Sequence, residues 1–177
     1  FSEEIPDEAF AEMKAKGIAY DPTMSVVEGF TNFARSDTTL LKRSLVQQVA
    51  PKDLLAGTEN AARSDQFKAL REGISHYPMS LEIGGKNLMK AWRAGVMLVT
   101  GSDAGNFLVM HGPTVQHEIE LWVAAGIPID IALQAATYTG AKLFRPDSPT
   151  GPTANGNAAT FSVVCGNTPQ AETPSLS

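Results

Sequence analysis

The stretch VMLVTGSDAGNF (96–107) decides the fold. Together with Gly95, its apolar opening reads as a strand over 95–100 with no polar alternation, the pattern of a parallel strand covered on both faces. The run stops in small residues and one carboxylate, Asp103. In α/β folds with parallel strands, functional residues sit at the C-terminal strand ends, where the loops converge. Gly101, Ser102, Ala104 and Gly105 leave room for a ligand or ion beside Asp103. A turn or cap aspartate would look the same locally, and spacing alone leaves both readings open.

Working outward, PDEAFAEMKAKG (6–17) predicts a short helix with Phe10 and Met13 on its apolar face and Gly17 at its stop. IAYDPT (18–23) follows as a strand ended by Pro22. From Thr23 to Arg93 apolar residues recur at helical spacing, as in SVVEGFTNFARS (25–36), TLLKRSLVQQV (39–49), DQFKALREGISHY (65–77) and NLMKAWRAG (87–95). Gly84 and Gly85 are expected to break or start one of these helices. Beyond the quoted stretch, VQHEIELWVAAG (115–126) predicts a helix with Ile119, Trp122 and Val123 on one side, and Pro128 opens another that runs to Phe144. The order of helix, strand, helices, strand, helices predicts an α/β architecture with parallel strands, and residues 1–144 are read as one unit. Residues 145–177 begin with the turn-rich RPDSPTGPTANGN and hold one more expected strand, ATFSVVCG (159–166).

Composition narrows the function. With 14 Lys+Arg against 19 Asp+Glu, the net charge of −5 offers no basic footprint for nucleic acid. No apolar stretch reaches the roughly 20 residues that cross a bilayer, so no membrane association is expected. Cys165, the one cysteine, excludes an internal disulfide, and its apolar setting favours packing over a nucleophilic role. No G-x-G-x-x-G opens a helix after either strand, which disfavours a dinucleotide site.

The run from GVMLVTGSDAGN through HGPTVQHEIELWVAAGIPIDIALQAATYTGAKLF resembles the last barrel strand and following helices of the metal-dependent amidohydrolase superfamily, in its imidazolonepropionase-like and prolidase-like branch. Gly101, Ser102, Asp103 and Ala104 match that family's strand end; His111 and Gly112 match its HG loop. His117, Glu118, Gly126, Pro128, Ala132 and Thr137 match the helices beyond it. GIAYDPTM is similar to the preceding barrel strand, and NGNAATFSVVCGNTPQ to the closing strand of a small β-domain. The resemblance implies the C-terminal part of a (β/α)8 TIM-like barrel and a hydrolase of C–N bonds in amides, cyclic amides or dipeptides. It also implies a divalent metal, zinc before others, as one or two ions. Asp103 would be both metal ligand and proton-transfer carboxylate, a role that suits a rigid strand end.

Other family ligands, an H-x-H pair, a lysine and two further histidines, have no counterpart here, and a full barrel takes about 250 residues. The chain is therefore expected to be a C-terminal fragment, inactive alone, acting on a small-molecule amide once complete. The alternative is a non-catalytic half-barrel that works by association, as a homo-oligomer or paired with a missing N-terminal part, since it would expose strand edges. His111 is a candidate substrate contact, against a loop-stabilising role. His117 is expected to pack or cap, and His76 to be structural or solvated. A zinc site from Asp103, His111 and His117 is disfavoured because the histidines stand at i and i+6 rather than i and i+4. Asp21-Pro22-Thr23 reads as a turn and helix start before it reads as a site.

Overall fold

Two short parallel strands with helices packed against them, and a further helical segment between α2 (Met24–Ala34) and α6 (Leu81–Ala94), make up the described residues. The computed structural model describes residues 2–144. The small β-domain strand expected at 159–166, the linker before it and Cys165 lie outside the described residues. Helix α1 (Asp7–Ala15) ends at Lys16 and feeds through Gly17 into β1 (Ala19–Tyr20). Helix α2 (Met24–Ala34) follows directly, and after a 3₁₀ turn at Thr39–Lys42 come α3 (Ser44–Val49) and α4 (Lys52–Arg63). A second 3₁₀ turn (Asp65–Phe67) leads into α5 (Lys68–Ser75), and α6 (Leu81–Ala94) returns the chain to β2 (Met97–Leu98). Then come α7 (Thr114–Ala124) and α8 (Ile129–Gln134), which continues through a π turn (Ala135–Thr139) into α9 (Gly140–Phe144).

The strands are parallel and in register Ala19 to Met97 and Tyr20 to Leu98. One further bond, Val99 N–H to the Tyr20 carbonyl at 3.1 Å, extends the pairing. The ladder is thus shorter than the 18–22 and 95–100 runs expected, because Pro22 has no N–H to offer and the chain turns there. Alternation decides the faces. Tyr20 and Leu98 point into the main core, while Ala19 and Met97 are only partly covered. That core joins Phe10, Leu88, Ala91, Val96, Trp122 and Ile127, so α1, α6, α7 and the strands pack as one layered body.

Two expectations fail here. Gly84 and Gly85 lie inside α6, whose start is set by Ser80, its hydroxyl accepting from Ile83 N–H at 3.2 Å. Both glycines are buried, and a Cβ on Gly85 would stand 3.1 Å from that of Ala125. Close packing of α6 on α7 therefore outweighs the roughly 1 kcal/mol helix penalty of glycine. Val123, expected beside Ile119 and Trp122, is exposed, whereas Trp122 is wholly buried. The apolar side of α7 is narrower than its sequence suggests.

A second core forms around the loop after β2. Phe33, Leu41, Val46, Leu55 and Ala62 from α2–α4 and the turn between them enclose Leu108 and Met110 of that loop. Phe107 stacks on Phe33 with centroids 4.1 Å apart and meets Phe30 edge-on at 5.2 Å. Such pairs add about 0.5–1.5 kcal/mol beyond burial. At Gly29 a Cβ would lie 2.3 Å from the Phe107 carbonyl oxygen, so glycine is what allows the loop to seat on α2. The TLLKRSLVQQV run, read as one helix, divides at Arg43 into a 3₁₀ turn and α3.

Candidate functional site

Three carboxylates lie near the ends of the strands without forming one cluster, and they differ in what occupies their oxygens. Asp21, just past β1, accepts three bonds at Oδ1: from Thr23 N–H at 3.2 Å, Thr23 Oγ1 at 3.1 Å and Gly101 N–H at 3.1 Å. The first two close an Asx turn and the third latches the end of β2 to that of β1. Gly101 fits tightly, since a Cβ there would stand 2.2 Å from Asp21 Oδ2. Asp21 is thus the turn residue its sequence context suggested.

Glu118 is fully buried on α7. Its oxygens accept from Met24 N–H at 2.7 Å, Ser25 N–H at 2.6 Å and Trp122 Nε1–H at 2.9 Å. Thr23, the residue before α2, makes no side-chain cap and sits at φ 43°, so Glu118 supplies from another helix the acceptors that α2 lacks locally. The anion also lies at the favourable end of the α2 dipole. Ser25 in turn donates from Oγ to the Ser102 carbonyl at 3.4 Å, which links this cap to the residue before Asp103.

Asp103 is exposed and has φ 46°. Aspartate tolerates the left-handed region better than most residues, and such conformations recur where a loop is over-determined around a site. The loop is held by Asn106 Nδ2 donating to the Asp103 carbonyl at 3.0 Å, Gly105 N–H to the Val109 carbonyl at 3.0 Å, and Val109 N–H to the Asn106 carbonyl at 3.1 Å. Its backbone is fixed, yet among the described residues the Asp103 carboxylate has no hydrogen-bond partner.

The histidines take separate places. His111 is exposed in the same loop and its Nε2 is 3.5 Å from where a Gly105 Cβ would be, so the ring lies over the glycine that follows Ala104. His117 is engaged elsewhere: Nε2 pairs with Glu28 of α2, and Nδ1 lies 3.2 Å from Glu120, which Arg43 also binds at 2.6 Å. Burial opposes a charged ring here, but the bonds to Glu28 and Glu120 outweigh it and raise the His117 pKa above 6.5. That is the packing role expected of it. His76 is exposed, with Nδ1 2.6 Å from the Glu72 carbonyl oxygen.

Among the described residues, no three His, Cys, Asp or Glu side chains converge as a metal site. A zinc ion takes three or four protein ligands. Asp103 is one hard oxygen donor, and Asp21 and Glu118 are already committed to N–H groups, so the described residues do not fit a complete divalent-metal centre. Sequence reasoning missed the structural part played by Glu118. The signal was there, a glutamate one turn before core-facing Trp122, but its partners lie more than ninety residues away at Met24 and Ser25.

Among the described residues no helix is long and apolar enough to cross a membrane. The family model described as the amidohydrolase family matches residues 12–175. No curated protein and no solved structure matches the chain.

Proposed function

The chain belongs to the amidohydrolase family, and from that premise we propose a hydrolase of C–N bonds in small-molecule amides, with Asp103 as its proton-transfer carboxylate. The family implies a hydrolase on a TIM-barrel-type fold. The finer reading is that β1 and β2 are the last two barrel strands and that further strands come from outside the described residues. One observation carries the role of Asp103: of the three carboxylates near the strand ends, it alone is unengaged by N–H donors among the described residues, and it is exposed on a loop pinned through its carbonyl and its neighbours.

Asp103 would accept a proton from water as its oxygen bonds to the carbonyl carbon. It would return that proton to the leaving nitrogen as the C–N bond breaks, giving a carboxylate and an amine. The latch at Gly101 and the Ser25–Ser102 contact fix the approach of the loop, which is what proximity catalysis requires. His111, in the same loop, is proposed to contact substrate. A divalent metal, zinc before others, belongs to this proposal with Asp103 as one ligand and the remainder of the set outside the described residues.

The test is amine release by the full-length protein, with zinc or manganese added, from a panel of N-acyl amino acids, dipeptides and cyclic amides. Metal-dependent turnover of at least one class is expected, falling roughly 10²–10⁴-fold in Asp103→Ala, the span of a general acid–base contribution. No turnover by the wild type, or full turnover by the variant, would refute the assignment.

A further inference from the structure

We infer that the cleft between α4 and the Asp103 loop is the pocket for an apolar side group of the substrate, an aryl or branched aliphatic group. The inference rests on the proposed role of Asp103 and adds the substrate class. The cleft measures about 460 Å³ and is walled by Phe33, Leu54, Phe67, Phe107 and Leu108. Its floor is Gly105–Leu108, the same loop that carries Asp103. Two residues of chain span at most about 7 Å, so the cleft begins within one side chain's reach of the Asp103 backbone.

Its size and lining specify the occupant. Small-molecule sites run from about 300 to 1,000 Å³ with mostly apolar walls and few polar groups, and about 150 Å³ already accommodates benzene. The polar side chains at this cleft among the described residues are Asp53, Thr58 and Asn106, and none of those lining residues is a cation. An anionic side group would meet Asp53 and no counter-charge, so acidic substrates are disfavoured. The larger groove of about 730 Å³ between α6 and α7 sets Lys86, Lys90 and Arg93 beside Met24, Leu81 and Leu121, and no residue of the Asp103 loop lines it. It is a poor competitor for the reacting molecule.

Gly57 provides the test, because it lines the cleft and a Cβ built there meets nothing within 4 Å. A side chain can therefore start at position 57 without its Cβ meeting a neighbour, and Gly57→Phe is expected to occupy part of the cleft. Calorimetric binding of N-acetyl-phenylalaninamide and N-acetyl-glycinamide to the full-length protein reads the pocket without requiring turnover. The wild type should bind the phenyl compound at least about tenfold more tightly, as buried apolar groups discriminate. That preference should vanish in Gly57→Phe and shrink in Leu54→Asn, an exposed position, with thermal midpoints unchanged. Asp103→Asn should keep it. Equal binding of the two compounds by the wild type, or a preference that survives in both cleft variants, would overturn the inference. Turnover retained by Asp103→Asn would instead overturn the hydrolytic role while leaving the cleft result standing.

Discussion

Asp21 and Asp103 stand at neighbouring strand ends, yet one has Oδ1 bound by three donors and the other's carboxylate has no hydrogen-bond partner among the described residues. That contrast separates latch from reagent. Asp21→Asn keeps an acceptor oxygen and should preserve most of the latch, whereas Asp103→Asn loses the base outright. His117 gives a second test at this scale. Both ring nitrogens face carboxylates, Glu28 on α2 and Glu120 on α7, and Arg43 binds the same Glu120 Oε2 that His117 approaches. Because the folded-state pKa is raised, this interaction stabilises fully below the unfolded value near 6.5 and is lost as pH climbs through the higher folded value. Thermal midpoints of wild type and His117→Gln should therefore converge as pH rises from about 6.5 through the higher folded value. A gap that stays constant or widens would contradict the imidazolium bridge. Asp103 itself was legible in the sequence because a buried strand must end somewhere and small residues crowded that end. Its freedom was not legible, since an aspartate that closes a turn, as Asp21 does, has the same local spelling.

At the level of elements, Glu118 does for α2 what a local cap would ordinarily do. Removing a buried acceptor strands its donors at about 1–3 kcal/mol each, so Glu118→Ala should cost about 3 kcal/mol. Differential scanning should show a fall of about 6–12 °C, and loss of under about 2 °C would refute the cap. Gly29→Ala should disturb the same region from the other side. Its Cβ would collide with the Phe107 carbonyl and with Val109 Cγ2 at 2.8 Å, forcing the loop off α2. The check is a fall in turnover larger than the accompanying loss of stability explains. Helix order and the two strands were readable because 3.6-residue periodicity and continuous apolar runs are local signals. The interior placement of Gly85 was not, because it depends on Ala125 pressing from the end of α7. Nor could periodicity show Phe33 stacked on Phe107, a contact between positions 74 apart.

Across the whole molecule, one layered core backs the strands and a second, helical one grips the loop after β2. The two-stranded sheet leaves the outer edge of each strand unpaired among the described residues, and unpaired edges invite association. The last-two-strands reading therefore predicts that the chain expressed alone elutes as a dimer or larger species in size-exclusion chromatography with light scattering. A monodisperse monomer would count against it. The parallel pairing of the two strands was legible at this scale, as was the place of Asp103 just past the end of β2. The cleft was not, because its walls come from segments separated along the chain and no repeating pattern marks them. The most direct test of the central claim compares Asp103→Asn with Asp21→Asn in the full-length protein, measuring kcat/KM on one hydrolysed amide with folding monitored by circular dichroism. Both variants should fold, with Asp103→Asn reduced roughly 10²–10⁴-fold and Asp21→Asn reduced about tenfold or less. Equal losses, or a larger loss at Asp21, would show that the strand-end latch carries the effect and that Asp103 is not the reacting carboxylate.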